Sequence, residues 1–92
     1  MEKTEKLEYH NQIERHFQEL RGTPQFMLST SDWGLISKWQ LNGIPLVCVL
    51  RGLKNAFRAH EARRNRDEQI NSVSYCSAQV LDEWKEYRKR AA

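Results

Sequence analysis

Residues 42–57 constrain this chain more than any other stretch. Asn42-Gly43-Ile44-Pro45 reads as a stop followed by a start. Asn and Gly tolerate the left-handed backbone that ends a helix, and Pro at a first helical position gives up no hydrogen bond. Beyond it, Leu46, Val49, Leu50, Leu53 and Phe57 recur at steps of three and four, and Val47 and Cys48 make the first turns apolar nearly all round. The pattern predicts a helix over 45–61 that is the central, most buried element. The competing reading is a strand over 44–50 with Asn-Gly as its hairpin turn. Pro45 at its start, and a four-residue period that runs on to Phe57, argue against it. Gly52 inside the helix costs about 1 kcal/mol relative to Ala. Its presence there predicts the close approach of a second helix.

Three further segments carry the same periodicity. In 4–20, Leu7, Ile13, Phe17 and Leu20 form a stripe with Tyr9 and His10 beside it, and Arg21-Gly22-Thr23-Pro24 ends it. In 30–41, Ser29 and Asp32 have the spacing of a capping box, with Asp in place of the usual Glu or Gln. Trp33, Ile36 and Trp39 follow, and Leu35 and Leu41 widen the stripe. In 72–89, Ser72 is a candidate cap, and Val73, Cys76, Val80, Trp84 and Tyr87 share a face with Leu81 adjacent. The polar segment 61–71 holds the end of the third helix and a loop. The fold class is therefore all-α: one domain of about four helices in a compact orthogonal or bundle-like arrangement. Helices two to four should form the core, and helix one should pack across them or mediate dimerisation.

Composition excludes several classes. With 39% hydrophobic and 29% charged residues the chain has a globular balance. Four Gly and two Pro leave little for the turns of an all-β domain. No run nears the roughly 18 apolar residues of a membrane helix, so no membrane association is expected. The opening Met1-Glu2-Lys3-Thr4-Glu5-Lys6 lacks the apolar core of a signal peptide, which implies a cytoplasmic location. Cys48 and Cys76 lie in apolar runs and read as buried thiols.

The sequence offers no catalytic constellation. His10, His16, His60, Cys48 and Cys76 show no metal-ligand spacing, so no metal is expected. Cys76 or Ser77 as a nucleophile would need a His brought from another helix. No Gly-rich loop cradles a phosphate, and Asp82-Glu83 reads as helix surface. The expectation is a protein with no enzymatic activity, no cofactor and no small-molecule substrate.

Charge is the sharper signal. The net charge of +3 is uneven, acidic over 1–20 and basic later. Arg51, Lys54, Arg58, Arg63, Arg64 and Arg66, joined by Arg88, Lys89 and Arg90 near the end, are candidate phosphate contacts. The same residues would also serve as a solvated basic face. Tyr75 and Tyr87 are the freer candidates for stacking on bases, because the tryptophans lie on apolar stripes.

Residues 27–88 resemble the DnaD-like domain of bacterial and phage replication-initiation proteins. The resemblance is carried by Leu28-Ser29-x-x-Asp32 opening a helix that reaches Trp39, and by Gly43-Ile44-Pro45 opening the next. It continues through Leu46, Val49, Leu50, Gly52 and Leu53, and closes on Tyr75, Val80-Leu81 and Trp84. It implies an all-helical, DNA-associated module that self-associates or binds replication partners. DNA contacts would lie near Tyr75, Trp84 and the basic tail. The expected function is a nucleic-acid-associated accessory role, with replication as its implied setting. The alternative is a protein–protein adaptor or small structural subunit acting through helix one or an exposed aromatic patch.

Overall fold

A computed structural model describes residues 2–63 and 69–91, with side chains from residue 8 onward. The fold is all-α. Helix α1 spans Glu2–Arg21, α2 Thr30–Leu41 and α3 Leu46–Glu61; a 3-10 turn, Val73–Cys76, leads into α4, Ser77–Ala91. No helix is long and apolar enough to cross a membrane among the described residues.

The helix ends follow local chemistry. Ser29 caps α2: its Oγ accepts from the Asp32 backbone N–H at 3.1 Å, and Asp32 Oδ2 accepts from the Ser29 N–H at 3.1 Å. The capping box read from the sequence is thus formed, with Asp reaching back as Glu or Gln normally does. At the other end Gly43 takes φ +81, while Asn42 stays right-handed at φ −78. Ile44 N–H then donates to Trp39 O, and Gly43 N–H to Gln40 O, each at 3.0 Å. This paired closure is favoured by glycine, and it brings Ile44 back against Trp39, both buried. Pro45 is the N-cap of α3, not its first residue. Its ψ of 146 is extended, and its carbonyl accepts from Cys48 N–H at 3.0 Å.

Several stripes are phased differently from their sequence reading. On α3 the buried set is Cys48, Val49, Gly52, Leu53, Ala56 and Phe57. Leu46 and Leu50 are half-buried and Val47 is exposed, because α3 is wedged between α1 and α4 and turns a third side to solvent. On α1 the core residues are Tyr9, Ile13 and Phe17, with His10 also buried; the Leu7 side chain lies outside the described residues. The Tyr9 hydroxyl donates to Ile44 O at 2.9 Å and ties α1 to the α2–α3 junction. The apolar face of α1 is therefore spent inside the molecule. Leu41, read as widening the stripe of α2, is 87% exposed, because the closure at Gly43 turns the chain inward one step later.

The fourth element is two pieces instead of one helix over 72–89. Asp32 Oδ1 accepts from Ser72 Oγ at 2.6 Å and from Val73 N–H at 3.2 Å. These bonds pin the start of the 3-10 turn to the head of α2 before α4 begins. Beyond the turn, α3 and α4 run antiparallel: Gly52 sits on Val80, and Cys48 Sγ lies 3.9 Å from Glu83 O. The close approach expected at Gly52 is present. A Cβ there would lie 2.5 Å from Val80 Cα.

Candidate nucleic-acid interface

The exposed side of α3 carries Arg51, Lys54 and Arg58. Spacings of three and four put them within one turn-wide stripe about 10 Å long. Among the described residues the one ion pair is Lys89 Nζ with Glu86 Oε1 at 3.7 Å on α4. Arg51, Lys54 and Arg58 therefore form no ion pair within that set.

The remaining candidates do not join this stripe. Arg63 lies just past α3, where its Nη1 donates to the Tyr75 hydroxyl at 3.2 Å. Arg64 and Arg66 lie outside the described residues. Arg88, Lys89 and Arg90 are consecutive on α4, so helical geometry sends them about 100° apart. Arg88 covers the ring of Trp84, 4.2 Å from its centroid, and Lys89 is paired with Glu86. Because α3 and α4 are antiparallel, Arg63 and this tail sit at opposite ends, about 30 Å apart by helical rise. The structure brings together the stripe on α3 and places Arg63 and the α4 cations at two separate ends.

Polar groups elsewhere serve mainly to hold the fold. His10 stacks on Trp33, with centroids 5.2 Å apart, and its Nε2 is 2.9 Å from Ser37 Oγ, linking α1 to α2. Burial pushes the Cys76 thiol up to about 12, with the Asp32 charge adding to it, and burial likewise raises Cys48, helped by Glu83 and opposed by Arg51. Both thiols are thus held protonated and are poor nucleophiles at neutral pH. No group of three His, Cys, Asp or Glu residues suited to a metal occurs among the described residues. A cleft of about 180 Å³ opens between the ends of α1 and α3, lined by Leu20, Arg21, Phe57, His60, Glu61, Gln69 and Ile70.

Sequence reasoning missed Arg21. Its guanidinium donates to Ile70 O at 3.1 Å, Asn71 Oδ1 at 2.7 Å and Thr23 Oγ1 at 2.6 Å, and lies 4.0 Å over Phe26. It clasps the segment before the 3-10 turn to α1. Two of these partners are remote in sequence, so no spacing rule could have found it. Tyr75 was visible as a free aromatic, but its anchoring by His60 Nδ1 at 3.3 Å and by Arg63 was not.

No curated protein and no solved structure matches the chain. A family model described as "Uncharacterised protein" matches residues 8–92. This overturns the resemblance to the DnaD-like domain, and the replication setting and bacterial or phage origin implied by it fall as well. The features that suggested it are general devices of helical proteins: a capping box at Ser29, a glycine closure at Gly43 and a packed stripe on α3. With its match running over nearly the whole chain, the protein belongs to the family that this model describes.

Proposed function

We propose that the chain is a non-enzymatic, nucleic-acid-associated protein that contacts phosphates through the exposed side of α3. One observation carries the proposal: Arg51, Lys54 and Arg58 project together with no carboxylate in ion-pair range among the described residues. Phosphates that replace the counterions of such a stripe release them to solution, which drives binding at low salt. Arg63, past the end of α3, and Arg88, Lys89 and Arg90 on α4 offer separate contacts.

The test is fluorescence anisotropy of labelled single- and double-stranded oligonucleotides, titrated with salt. Log affinity should fall linearly with log salt, with a slope near −3 for about three to four phosphate contacts. Arg51→Glu, Lys54→Glu and Arg58→Glu together should remove binding while the helical circular-dichroism spectrum is retained. Absence of binding to every oligonucleotide at low salt would reject the proposal.

A protein–protein adaptor is the second reading, favoured by the exposure of Leu41 at 87% and Met27 at 77%. With the apolar face of α1 buried, such an adaptor would use those residues or the exposed Leu81 and Tyr87 of α4. It predicts a concentration-dependent oligomer or a co-purifying protein, and indifference to nucleic acid.

A further inference from the structure

We infer that the end of the molecule formed by the α3 C-terminus and the 3-10 turn is a stacking site for an unpaired nucleobase. Tyr75 is the platform, and Arg63 is placed for the adjoining phosphate. This deepens the nucleic-acid reading above and rests on it.

Tyr75 is exposed and yet held in place. Its ring is 42% exposed, yet it stands on a turn whose flanking residues Val73 and Cys76 are fully buried. The turn is pinned at its start by the bonds from Ser72 and Val73 to Asp32. Its hydroxyl lies within reach of Arg63 Nη1 at 3.2 Å and His60 Nδ1 at 3.3 Å. The His60 ring also packs perpendicular to it, with centroids 5.7 Å apart. An exposed aromatic side chain is ordinarily free to rotate, and ordering it on binding costs free energy. Here that ordering is already done, so more of the stacking energy is realised as affinity. Any base offers a π-face to such a ring, which makes the site tolerant of sequence.

The other aromatic rings are less suited. Arg88 covers Trp84, Arg21 covers Phe26, and His10 stacks on Trp33. Tyr87 is as exposed as Tyr75, but among the described residues no hydrogen bond or ring contact holds it. Only at Tyr75, within that set, do a fixed open ring and a cation that is not ion-paired coincide. Arg63 spends one donor on the hydroxyl, and guanidinium has five, so donors remain for phosphate. Beyond Tyr75, His60 lines the cleft with Leu20, Phe57 and Ile70, so apolar surface continues past the ring toward α1. A base paired within a duplex keeps both faces in the stack and cannot lie on Tyr75. The site therefore selects single strands.

The test compares labelled oligothymidine, oligouridine and a duplex of equal length by anisotropy against the full chain, Tyr75→Phe and Tyr75→Ala. Either single strand should bind more tightly than the duplex. Tyr75→Ala should weaken single-strand binding by at least about fivefold, from the typical worth of one stacked base. The same variant should leave duplex binding unchanged, and Tyr75→Phe, which keeps the ring but loses the hydroxyl contacts with Arg63 and His60, should fall between the parent and Tyr75→Ala. Should Tyr75→Ala fail to fold, photocrosslinking of bromouridine-substituted strands to the unaltered protein decides, with a crosslink at Tyr75 expected. Equal affinity for single strands and duplex with Tyr75→Ala indifferent, or crosslinks only elsewhere, overturns the inference but leaves the α3 reading standing. Failure to bind any of the three probes overturns both.

Discussion

Replacing Gly52 by Ala should destabilise this protein, although alanine is the better helix former. At Gly52 an added Cβ would lie 2.5 Å from Val80 Cα, 2.6 Å from Val80 N and 2.7 Å from Val80 Cγ2. Carbon atoms in contact prefer about 3.5–4.0 Å, so α4 must withdraw by about 1 Å. Two of the three nearest atoms are backbone, so no rotamer change relieves the clash. Overpacking of this kind costs typically 1–3 kcal/mol, and the backbone contact places Gly52→Ala at or above the upper end. Alanine returns about 1 kcal/mol of helix propensity. The net loss is about 2 kcal/mol, or roughly 8–16 °C in Tm for a domain of this size. Thermal and urea unfolding followed by circular dichroism would measure it. Gly34→Ala is the matched control: it lies inside α2 with nothing within 4 Å of the added Cβ. There only the propensity gain remains, and the variant should be stabilised by about 0.5–1 kcal/mol. Val80→Ala in the Gly52→Ala background should not restore stability, since the clash with Val80 Cα and N persists. Equal stabilisation by Gly52→Ala and Gly34→Ala would refute the packing argument outright.

Four further outcomes are expected. Asp32→Asn should cost roughly 1.5–3 kcal/mol in urea unfolding, because an amide turns N–H donors toward groups that now donate to a carboxylate; a loss under about 0.5 kcal/mol would contradict the role given to the Asp32 bonds with Ser29, Ser72 and Val73. The native thiols should resist a thiol reagent at pH 8 and react on denaturation. Stability should also fall with rising pH: the Cys76 thiol and the Tyr9 hydroxyl are raised to about 12 in the fold, chiefly by burial. Both keep their protons after the unfolded thiol ionises near about 8.5 and the unfolded phenol near about 10, so the unfolded state binds fewer protons across that window and gains on the native state. Unfolding midpoints that stay level to pH 10 would contradict this, and Cys76→Ala should make the early part of the decline shallower, leaving the share of Cys48. Finally, Lys54→Glu should stabilise the fold by roughly 0.5–1 kcal/mol while weakening oligonucleotide binding, because it replaces like-charge neighbours with favourable i,i+3 and i,i+4 pairs; stabilisation with unchanged binding would remove α3 from the interface.

The helices were legible because their signals are local. Ser29 and Asp32 cap within one turn, Gly43 closes within one turn, and the stripe on α3 repeats along one element. The phase of that stripe was less legible. Which of Leu46, Val47, Cys48 and Leu50 turn inward depends on having neighbours on two sides of α3, and periodicity in one strand of sequence does not carry that. Gly52 was the exception, since an interior glycine in a packed helix already points to a partner. The candidate site divided in the same way. Arg51, Lys54 and Arg58 share a face by spacing alone. The separation of Arg63 from Arg88, Lys89 and Arg90 required the antiparallel packing of α3 on α4, and the anchoring of Tyr75 required contacts across 12 to 15 residues. A resemblance built from caps and stripes failed for the same reason: such signals report helices, not ancestry.

The charges on α3 do not all invite the same explanation. Arg58 lies in its last turn, where a cation meets the negative end of the helix dipole, and that position alone accounts for it. Arg51 and Lys54 lie in the interior of the helix and gain nothing from either end. They stand three residues apart, Lys54 stands four from Arg58, and like charges at these spacings cost about 0.2–0.5 kcal/mol each. No acidic residue occupies the first turn of α3, where it would favour the helix, and among the described residues none pairs with the stripe. A face selected only for solvation would mix its signs, as α4 does with Lys89 and Glu86. The uniform sign of the stripe is therefore a small structural cost with no structural return. A polyanion laid along α3 would supply that return, because each phosphate brought to Arg51 or Lys54 removes the repulsion between them while releasing its own counterions.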